Sequence, residues 1–440
     1  MSRLRTLLWI YLGLLVFEGA LRKWTIHSLD APLLIIRDPL VIWIYFQAWK
    51  NRLSFNNAFF VPNLVLAGAT AITSTLFGVG NVLVTIYGLR TDYLQIPLIF
   101  LIPQILNRND VIVMGKFLCY MAIPIAALVI VQFRSPADSF VNKGAMPTPY
   151  GSVRPSGTFS FITGLSAFFS LTASFLLYGY VQGRTYRIWL MSLVTFAILL
   201  ASACSGSRTC LFSIGLVTVV AILCVVTRGK GGMGIMVAAA LIALAIPVLS
   251  STSVYQEGTA QLQQRFEDTA AQGEDTTGFF ARFLNSMLRP VLTAGKAPIF
   301  GFGLGTGTNA GAAMVNADLD WPEDEWPRLV FECGPIFGLL LCIFRVALTI
   351  AVAKRAFEAF RHDNILPILI FSSCGLLILN GQWGVPTTLG FAVFGAGLTL
   401  AACVEPAEWE EEDEEHEDGE AEGESDDSSA ADMVGRTASP

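Results

Sequence analysis

Charged residues are scarce in this chain. Asp, Glu, Lys and Arg together make up 14% of its 440 residues, whereas hydrophobic residues make up 53%. The mean hydropathy is correspondingly high, at +0.58. A soluble domain of this length needs a largely polar surface, so the composition argues against a soluble globular enzyme. The composition favours an integral membrane protein.

Histidine and paired cysteine motifs are also lacking. The chain has only 3 histidines and 8 cysteines, and no two cysteines have CxxC spacing. These absences argue against a zinc site and a disulfide framework, so no metal and no cofactor is expected. The cysteines all lie in or beside apolar runs and are predicted to be small core residues, namely Cys119, Cys204, Cys210, Cys224, Cys333, Cys342, Cys374 and Cys403.

The formal net charge of −7 hides two unlike parts of the sequence. Residues 404–440 contain 16 Asp and Glu and one basic residue, Arg436, which gives −15. Of the 28 basic and 35 acidic residues in all, the preceding 403 residues keep 27 and 19, which gives +8. Because the acidic part has too few apolar residues to offset the entropy of ordering, residues 404–440 are predicted to be a disordered cytoplasmic tail. Contact with a basic partner is the alternative.

Apolar runs of about 17 to 22 residues recur along the remaining sequence, and each can cross a hydrocarbon core about 30 Å thick. Such runs predict helices, because a barrel strand would alternate and be half as long. The fourth run is short, and residues 82–87 are expected to form a broken or re-entrant segment leading into it. We expect an all-α polytopic bundle of about twelve transmembrane helices, approximately at 7–21, 33–49, 59–77, 93–106, 117–133, 158–181, 188–203, 209–226, 233–249, 329–352, 365–379 and 385–403.

Basic residues in the short loops predict the orientation. With the N-terminus inside, five inner loops carry Lys or Arg, so both termini are expected in the cytoplasm. The first run lacks a small-residue cleavage site and is expected to be retained. Residues 1–249 then hold helices one to nine with an outer loop at 134–157, residues 250–328 form a large extracytoplasmic loop, and residues 329–403 hold helices ten to twelve.

Six basic residues map to the outer side, where topology does not require them: Arg22, Lys23, Arg37, Arg90, Arg154 and Arg208. Arginine beside a membrane span usually pairs, lines a water-filled cavity or binds an anion. Together these residues predict a basic, outward-facing funnel for an anionic lipid headgroup or a diphosphate. Local ion pairs, of Arg37 with Asp38 and of Arg90 with Asp92, are the alternative.

The predicted outer loop contains an amphipathic pattern. Apolar residues recur at helical spacing from Phe279 to Leu292, after a possible cap at Thr276 or Thr277. Arg282 and Arg289 share a side of this helix, which suits the membrane interface or a lid on the bundle. Plain packing is the alternative.

Two further patterns follow in the same loop. The alternating glycines of residues 301–307 could bring backbone N–H groups to a phosphate, although they form neither a Walker loop nor a GxGxxG turn. Glu325, Arg328 and Glu332 then lie at near-helical spacing at the mouth of the bundle. They are candidates for a general base and its orienting partner, with an interfacial salt-bridge cluster as the alternative.

Several of these pieces resemble the O-antigen ligase and O-antigen (Wzy-type) polymerase superfamily over roughly residues 90–383. They are Arg154-Pro-Ser-Gly-Thr-Phe-Ser, Cys204-Ser-Gly-Ser-Arg208-Thr, the large loop, the glycine run and Glu325-Trp-Pro-Arg328 with Glu332-Cys-Gly. The resemblance implies a helical bundle in the bacterial inner membrane that transfers glycan from an undecaprenyl-diphosphate carrier to a glycan acceptor, without metal or nucleotide. It also implies that Arg208 contacts the carrier diphosphate, and that Arg265, Arg282 and Arg289 lie in the equivalent loop.

One departure from that family affects the expected reaction. Its ligases carry an important histidine in the large loop, and residues 250–328 contain none. A carboxylate such as Glu325 would then serve as the base, which favours a polymerase of O-antigen or exopolysaccharide acting by inverting glycosyl transfer. A ligase and a transporter or flippase of the same lipid-linked substrate are the alternatives. Membrane lipid and a chain-length regulator are possible further partners, and no nucleic acid is expected.

Overall fold

The structure is a computed structural model that describes residues 1–24, 35–143, 145–147, 153–183, 185–271, 276–315, 321–322 and 324–405. The described chain is almost entirely helical. Its α-helices are, in chain order, α1 Ser2–Trp24, α2 Arg37–Lys50, α3 Phe60–Phe77, α4 Val82–Leu89, α5 Leu98–Ile105, α6 Arg108–Arg134, α7 Ile162–Gln182, α8 Ile188–Ser205, α9 Arg208–Arg228, α10 Gly232–Ser250, α11 Ser253–Ala271, α12 Thr276–Thr293, α13 Asn309–Val315, α14 Glu325–Arg361, α15 Leu366–Asn380 and α16 Pro386–Ala401.

Other regular structure is sparse within the described residues. A π-helical segment, Arg90–Leu94, follows α4 directly and leads into α5. Short 3₁₀ helices occur at Phe140–Asn142 and Ala294–Lys296. The strands β1, Met146–Pro147, and β2, Val153–Arg154, pair antiparallel.

Eight of the described helices are long and apolar enough to cross a membrane: α1, α3, α6, α7, α8, α9, α10 and α14. Helices α15 and α16 are also apolar but shorter. The prediction of a multi-pass helical bundle is therefore confirmed. The fourth predicted run differs in detail, because the π-helical segment and a turn separate α4 from α5.

Local sequence explains several helix boundaries. At the start of α6, Asn107 accepts from the N–H of Asp110, whose carboxylate accepts from the N–H of Asn107, which is a capping box. Ser207 caps α9 by accepting from the N–H of Cys210 at 3.3 Å. Gly206 ends α8 at a positive φ of 56°, a conformation that suits glycine. Ser-Gly-Ser therefore forms a tight turn between α8 and α9.

Helices α7 and α16 are the most completely buried and form the centre of the bundle. Small residues allow the neighbouring helices to approach closely. A Cβ atom at Gly115 of α6 would lie 2.1 Å from Cδ1 of Phe175 in α7. The core of the bundle is thus packed around these two helices.

Polar contacts define one end of the bundle, which we call the Arg108 end. The backbone N–H of Arg108 donates to Val404 O at 3.0 Å, and Arg5 Nε donates to Ile105 O at 3.3 Å. Arg228 lies 3.6 Å from Asp363, and Asn364 donates to Ala402 O at 2.7 Å. This end therefore gathers the starts of α1, α6 and α15 and the ends of α5, α9, α14 and α16.

The opposite end, which we call the Arg328 end, gathers the complementary termini. Arg22 donates to Ser160 at 3.0 Å, which joins the end of α1 to the segment before α7. Arg328 donates to Asp92 at 3.0 Å, which joins the start of α14 to the π-helical segment. Ser207 lies 3.5 Å from Ser166, between the starts of α9 and α7. Helix α1 thus runs from the Arg108 end to the Arg328 end, and α9 and α14 run in the opposite direction.

The predicted outer loop is largely helical where it is described. It contains α11, α12 and α13. The side chains of Thr276 and Thr277, where a cap was predicted, lie outside the described part of the structure. Helix α14 already starts at Glu325, so Glu325 and Arg328 belong to this helix and not to the loop. The side chains of Arg265 and Arg282, and residues 406–440 of the tail predicted at 404–440, lie outside the described part of the structure.

Candidate functional site

Five charged side chains form a buried network at the Arg328 end. Arg328 lies among three carboxylates: its Nη2 donates to Asp92 Oδ1 and Glu325 Oε1, both at 3.0 Å, and its Nη1 lies 2.8 Å from Glu332 Oε1. None of the five residues is more than 5% exposed. Charges this deep are tolerated only when paired, so the contacts fix α14 against the π-helical segment. The members of this buried ion network are Asp92, Glu325, Arg328, Glu332 and Arg345.

Glu332 also anchors the glycine run of residues 301–307. The N–H of Gly305 donates to Glu332 Oε2 at 3.0 Å, and the N–H of Gly307 donates to Oε1 at 2.8 Å. A Cβ atom at Gly301 would lie 2.2 Å from Glu332 O, so this close approach requires glycine. The predicted phosphate contact is wrong for these two amides, because they donate to a carboxylate of the same chain, which takes the place of the phosphate.

Glu325 accepts hydrogen bonds from several elements at once. Arg328 donates to both of its oxygens, Arg345 Nη1 donates to Oε1 at 2.9 Å, and the N–H of Trp383 donates to Oε1 at 3.0 Å. Both of its oxygens therefore already accept hydrogen bonds, and only 3% of the residue is exposed. The salt-bridge alternative thus describes Glu325 and Glu332 better than the predicted role of general base, which needs a reachable, available oxygen.

Arg345 completes this network, and sequence reasoning missed it. Its Nε donates to Ile378 O at 3.0 Å, and its guanidinium lies 3.9 Å from the centre of the Trp383 ring. The available signal was a lone arginine inside an apolar run, which is rarely placed there without a partner. The arginine ties α14 to the end of α15.

A second network joins α1, α2 and the π-helical segment. Arg37 Nε donates to Glu18 Oε2 at 2.7 Å, and Arg37 Nη2 donates to Pro386 O. Arg90 pairs with Asp38. The predicted local pairs Arg37–Asp38 and Arg90–Asp92 were wrong in their partners, since each arginine reaches a carboxylate on another element. Arg37 and Arg90 therefore have structural carboxylate partners.

Lys23 and Arg22 lie at the end of α1 against the segment that precedes α7. The Lys23 ammonium donates to Ser156 Oγ and to Gly157 O, and only 7% of the residue is exposed. Arg22 Nη1 donates to Ser160 Oγ at 3.0 Å. Gly19 makes this approach possible, because a Cβ atom there would lie 2.4 Å from Thr158 O. We call Arg22, Lys23, Ser156 and Ser160 the cationic patch.

The structure places the Arg154 and Arg208 motifs at the same end of the bundle. Arg154 lies in β2, immediately before the residues that contact Lys23. Arg208 starts α9, next to Ser207, which faces Ser166 of α7. Arg289, by contrast, lies on the exposed surface of α12, where it pairs with Asp324 at 3.0 Å. Of the predicted binding residues, Arg22, Arg154 and Arg208 thus lie on segments that meet at α7.

Comparison with protein-family models found no match to this chain, and comparison with curated proteins also found none.

Proposed function

We propose that this chain is an integral membrane glycosyltransferase that polymerises undecaprenyl-diphosphate-linked oligosaccharide repeat units, as in O-antigen or exopolysaccharide synthesis. The observation that carries the proposal is the cationic patch. It presents two adjacent cations, Arg22 and Lys23, beside the Arg154 motif. The assignment to glycan transfer rests on the motifs that resemble the O-antigen ligase and polymerase superfamily.

The burial of Lys23 indicates that its ammonium group needs a negatively charged partner. Placing an ammonium group away from water is costly unless a counter-charge lies beside it. Among the described residues, Lys23 donates to the hydroxyl of Ser156 and the carbonyl of Gly157, which are both neutral. A diphosphate at this position would supply a negative charge beside Lys23 and would also face Arg22. The hydroxyls of Ser156 and Ser160 would remain able to donate to its oxygens.

The same arrangement suits the chemistry of transfer. When the acceptor hydroxyl bonds to the anomeric carbon, the bond from that carbon to the lipid diphosphate breaks. The departing diphosphate keeps the electron pair and gains negative charge, and the hydroxyl proton passes to it or to water. Cations held in advance by the protein stabilise that charge more in the transition state than in the ground state. Arg208, which the family resemblance links to the diphosphate, is proposed to act with the cationic patch. Glu325 and Glu332 become positioning residues, because their oxygens already accept hydrogen bonds.

We further propose twelve membrane crossings with the Arg328 end on the outer face of the bacterial inner membrane. The eight long apolar helices, the shorter α2, α15 and α16, and the combined unit of α4, the π-helical segment and α5 would make these crossings. Two observations support this. Helix α1 runs in the direction opposite to α9 and α14, and the exposed basic residues Arg52, Lys230 and Arg355 lie after or near the ends of helices on the Arg108 side. Both termini would then be cytoplasmic.

The full-length chain reconstituted in vesicles tests the proposal. The donor is the undecaprenyl-diphosphate-linked repeat unit isolated from the source bacterium, and the products are separated by chain length. We expect a ladder of longer lipid-linked glycans. Transfer of a glycan to an added acceptor lipid without a ladder would indicate a ligase, and movement of unchanged donor across the vesicle membrane would indicate a transporter. Either result would contradict the polymerase proposal.

A further inference from the structure

The buried ion network contains more acidic than basic groups. Its three carboxylates, Asp92, Glu325 and Glu332, face two guanidinium groups, Arg328 and Arg345. Guanidinium stays protonated in proteins, so full ionisation of the carboxylates would leave one uncompensated negative charge. The adjoining pairs do not supply the difference, because Arg37 is matched by Glu18 and Arg90 by Asp38.

Hydrogen bonds show which carboxylate is least able to keep a negative charge. Glu332 accepts from two backbone N–H groups and faces Arg328, and Glu325 accepts from two arginines and a backbone N–H. Asp92 accepts from Arg328 through Oδ1 only. Its Oδ2 is buried and has no hydrogen-bond partner among the described residues. A charged oxygen without a donor in this setting is the most costly of the six carboxylate oxygens.

We propose that Asp92 is a proton-binding site, with one proton on Oδ2 at neutral pH that leaves the buried ion network with no net charge. The proton comes from water, and no other bond changes. Tyr93 and Cys333 also lie near Asp92, and the hydroxyl of Tyr93 bonds to that of Thr70 at 3.0 Å. Asp92 lies on a π-helical segment, a form that is often found at functional sites.

The site makes the stability of the fold depend on pH. At neutral pH the folded chain holds a proton on Asp92 that the unfolded chain has released. Stability therefore falls as the pH rises, and it stops falling once the site is empty in both states. Asp92→Asn mimics the neutral acid, so it should remove this pH dependence. The site is independent of the proposed transfer reaction, and its test needs no substrate.

Infrared spectroscopy of the full-length chain in detergent tests the site. We expect a C=O band of a protonated carboxylic acid at neutral pH that Asp92→Asn removes. Asp324→Asn, which changes an exposed carboxylate paired with Arg289, should keep the band. A spectrum without the band, or a band that persists in Asp92→Asn, would overturn the assignment.

Melting temperature gives a second readout on the same proteins. Wild type should melt lower as the pH is raised from mildly acidic values through neutral. Asp92→Asn should melt at least as high as wild type and lose this dependence. A marked loss of stability in Asp92→Asn would show that the negative charge is needed and would overturn the proposal. A melting temperature that depends on sodium concentration and not on pH would show that Asp92 binds a metal cation and not a proton. This result would also overturn the proposal.

Discussion

Glu332 shows how one side chain can hold several parts of the molecule together. It faces Arg328 and accepts from two amides of the glycine run, and it is fully buried. Its spacing from Glu325 and Arg328 could be read from the sequence, but its partners could not. The glycine run and Asp92 come from distant parts of the chain, and only the tertiary fold brings their donors and charges together.

Replacing Glu332 by Gln should therefore destabilise the fold strongly. Gln keeps the shape of the side chain but removes the negative charge that faces Arg328. It also replaces one carboxylate oxygen by an NH₂ group, which cannot accept the hydrogen bond from Gly305 or Gly307. Breaking a buried ion pair from one side costs about 3–5 kcal/mol in the free energy of unfolding. The unfolding of the purified variant in detergent measures this.

Asp324→Asn is the matched control, because it removes a carboxylate from an exposed ion pair with Arg289. An exposed pair contributes about 0–1 kcal/mol. Equal losses in Glu332→Gln and Asp324→Asn would show that Glu332 does not anchor the glycine run.

Helix α14 differs from an ordinary membrane span at its first turns. Gly334 has φ 79° and ψ 167°, which are not helical values, and a kink follows within α14. The sequence predicted an apolar run here from Leu329 and treated the preceding residues as loop. The kink itself has a sequence signal, because Pro335 follows Gly334 and proline breaks the hydrogen bonding of a helix. The contact between Gly334 and residues 299–301 has none, because only the fold brings them together.

Gly334→Ala should disturb this contact. A Cβ atom at Gly334 would lie 2.1 Å from Ile299 O, and the positive φ is unfavourable for alanine. We expect a lower melting temperature and faster proteolysis within residues 294–308. Gly215→Ala on α9 is the control, since nothing lies within 4 Å of the added methyl group. A Gly334→Ala protein that behaves like Gly215→Ala would contradict the role of the kink.

Over the whole molecule, the sequence predicted the helical class and the position of most helices well. Long apolar runs specify membrane helices through composition alone. The pairing of the charged residues was predicted less well. Arg37 and Arg90 were expected to face an anion or their sequence neighbours, whereas Glu18 and Asp38 on other elements hold them. Composition indicates that a buried charge needs a partner but does not say which one.

The two ends of the bundle should lie on opposite sides of the membrane. Seven native cysteines are buried and Cys403 is partly exposed, so Cys403→Ser removes the native cysteine that a maleimide would reach most easily. In that background, Lys230→Cys should react with an impermeant maleimide from the cytoplasm, and Lys296→Cys from the outside. Labelling of both positions from one side would contradict this arrangement.

The role of the cationic patch is tested most directly by donor binding. The affinity of purified wild type for undecaprenyl diphosphate is compared with that of Lys23→Met by native mass spectrometry, with the exposed Lys230→Met as control. Methionine removes the buried charge but keeps a side chain of similar length. The melting temperature of Lys23→Met should therefore equal that of wild type. We predict about tenfold weaker binding or more for Lys23→Met, a loss of about 1.4 kcal/mol, and wild-type affinity for Lys230→Met. Equal affinities in all three proteins would contradict the assignment of the diphosphate site.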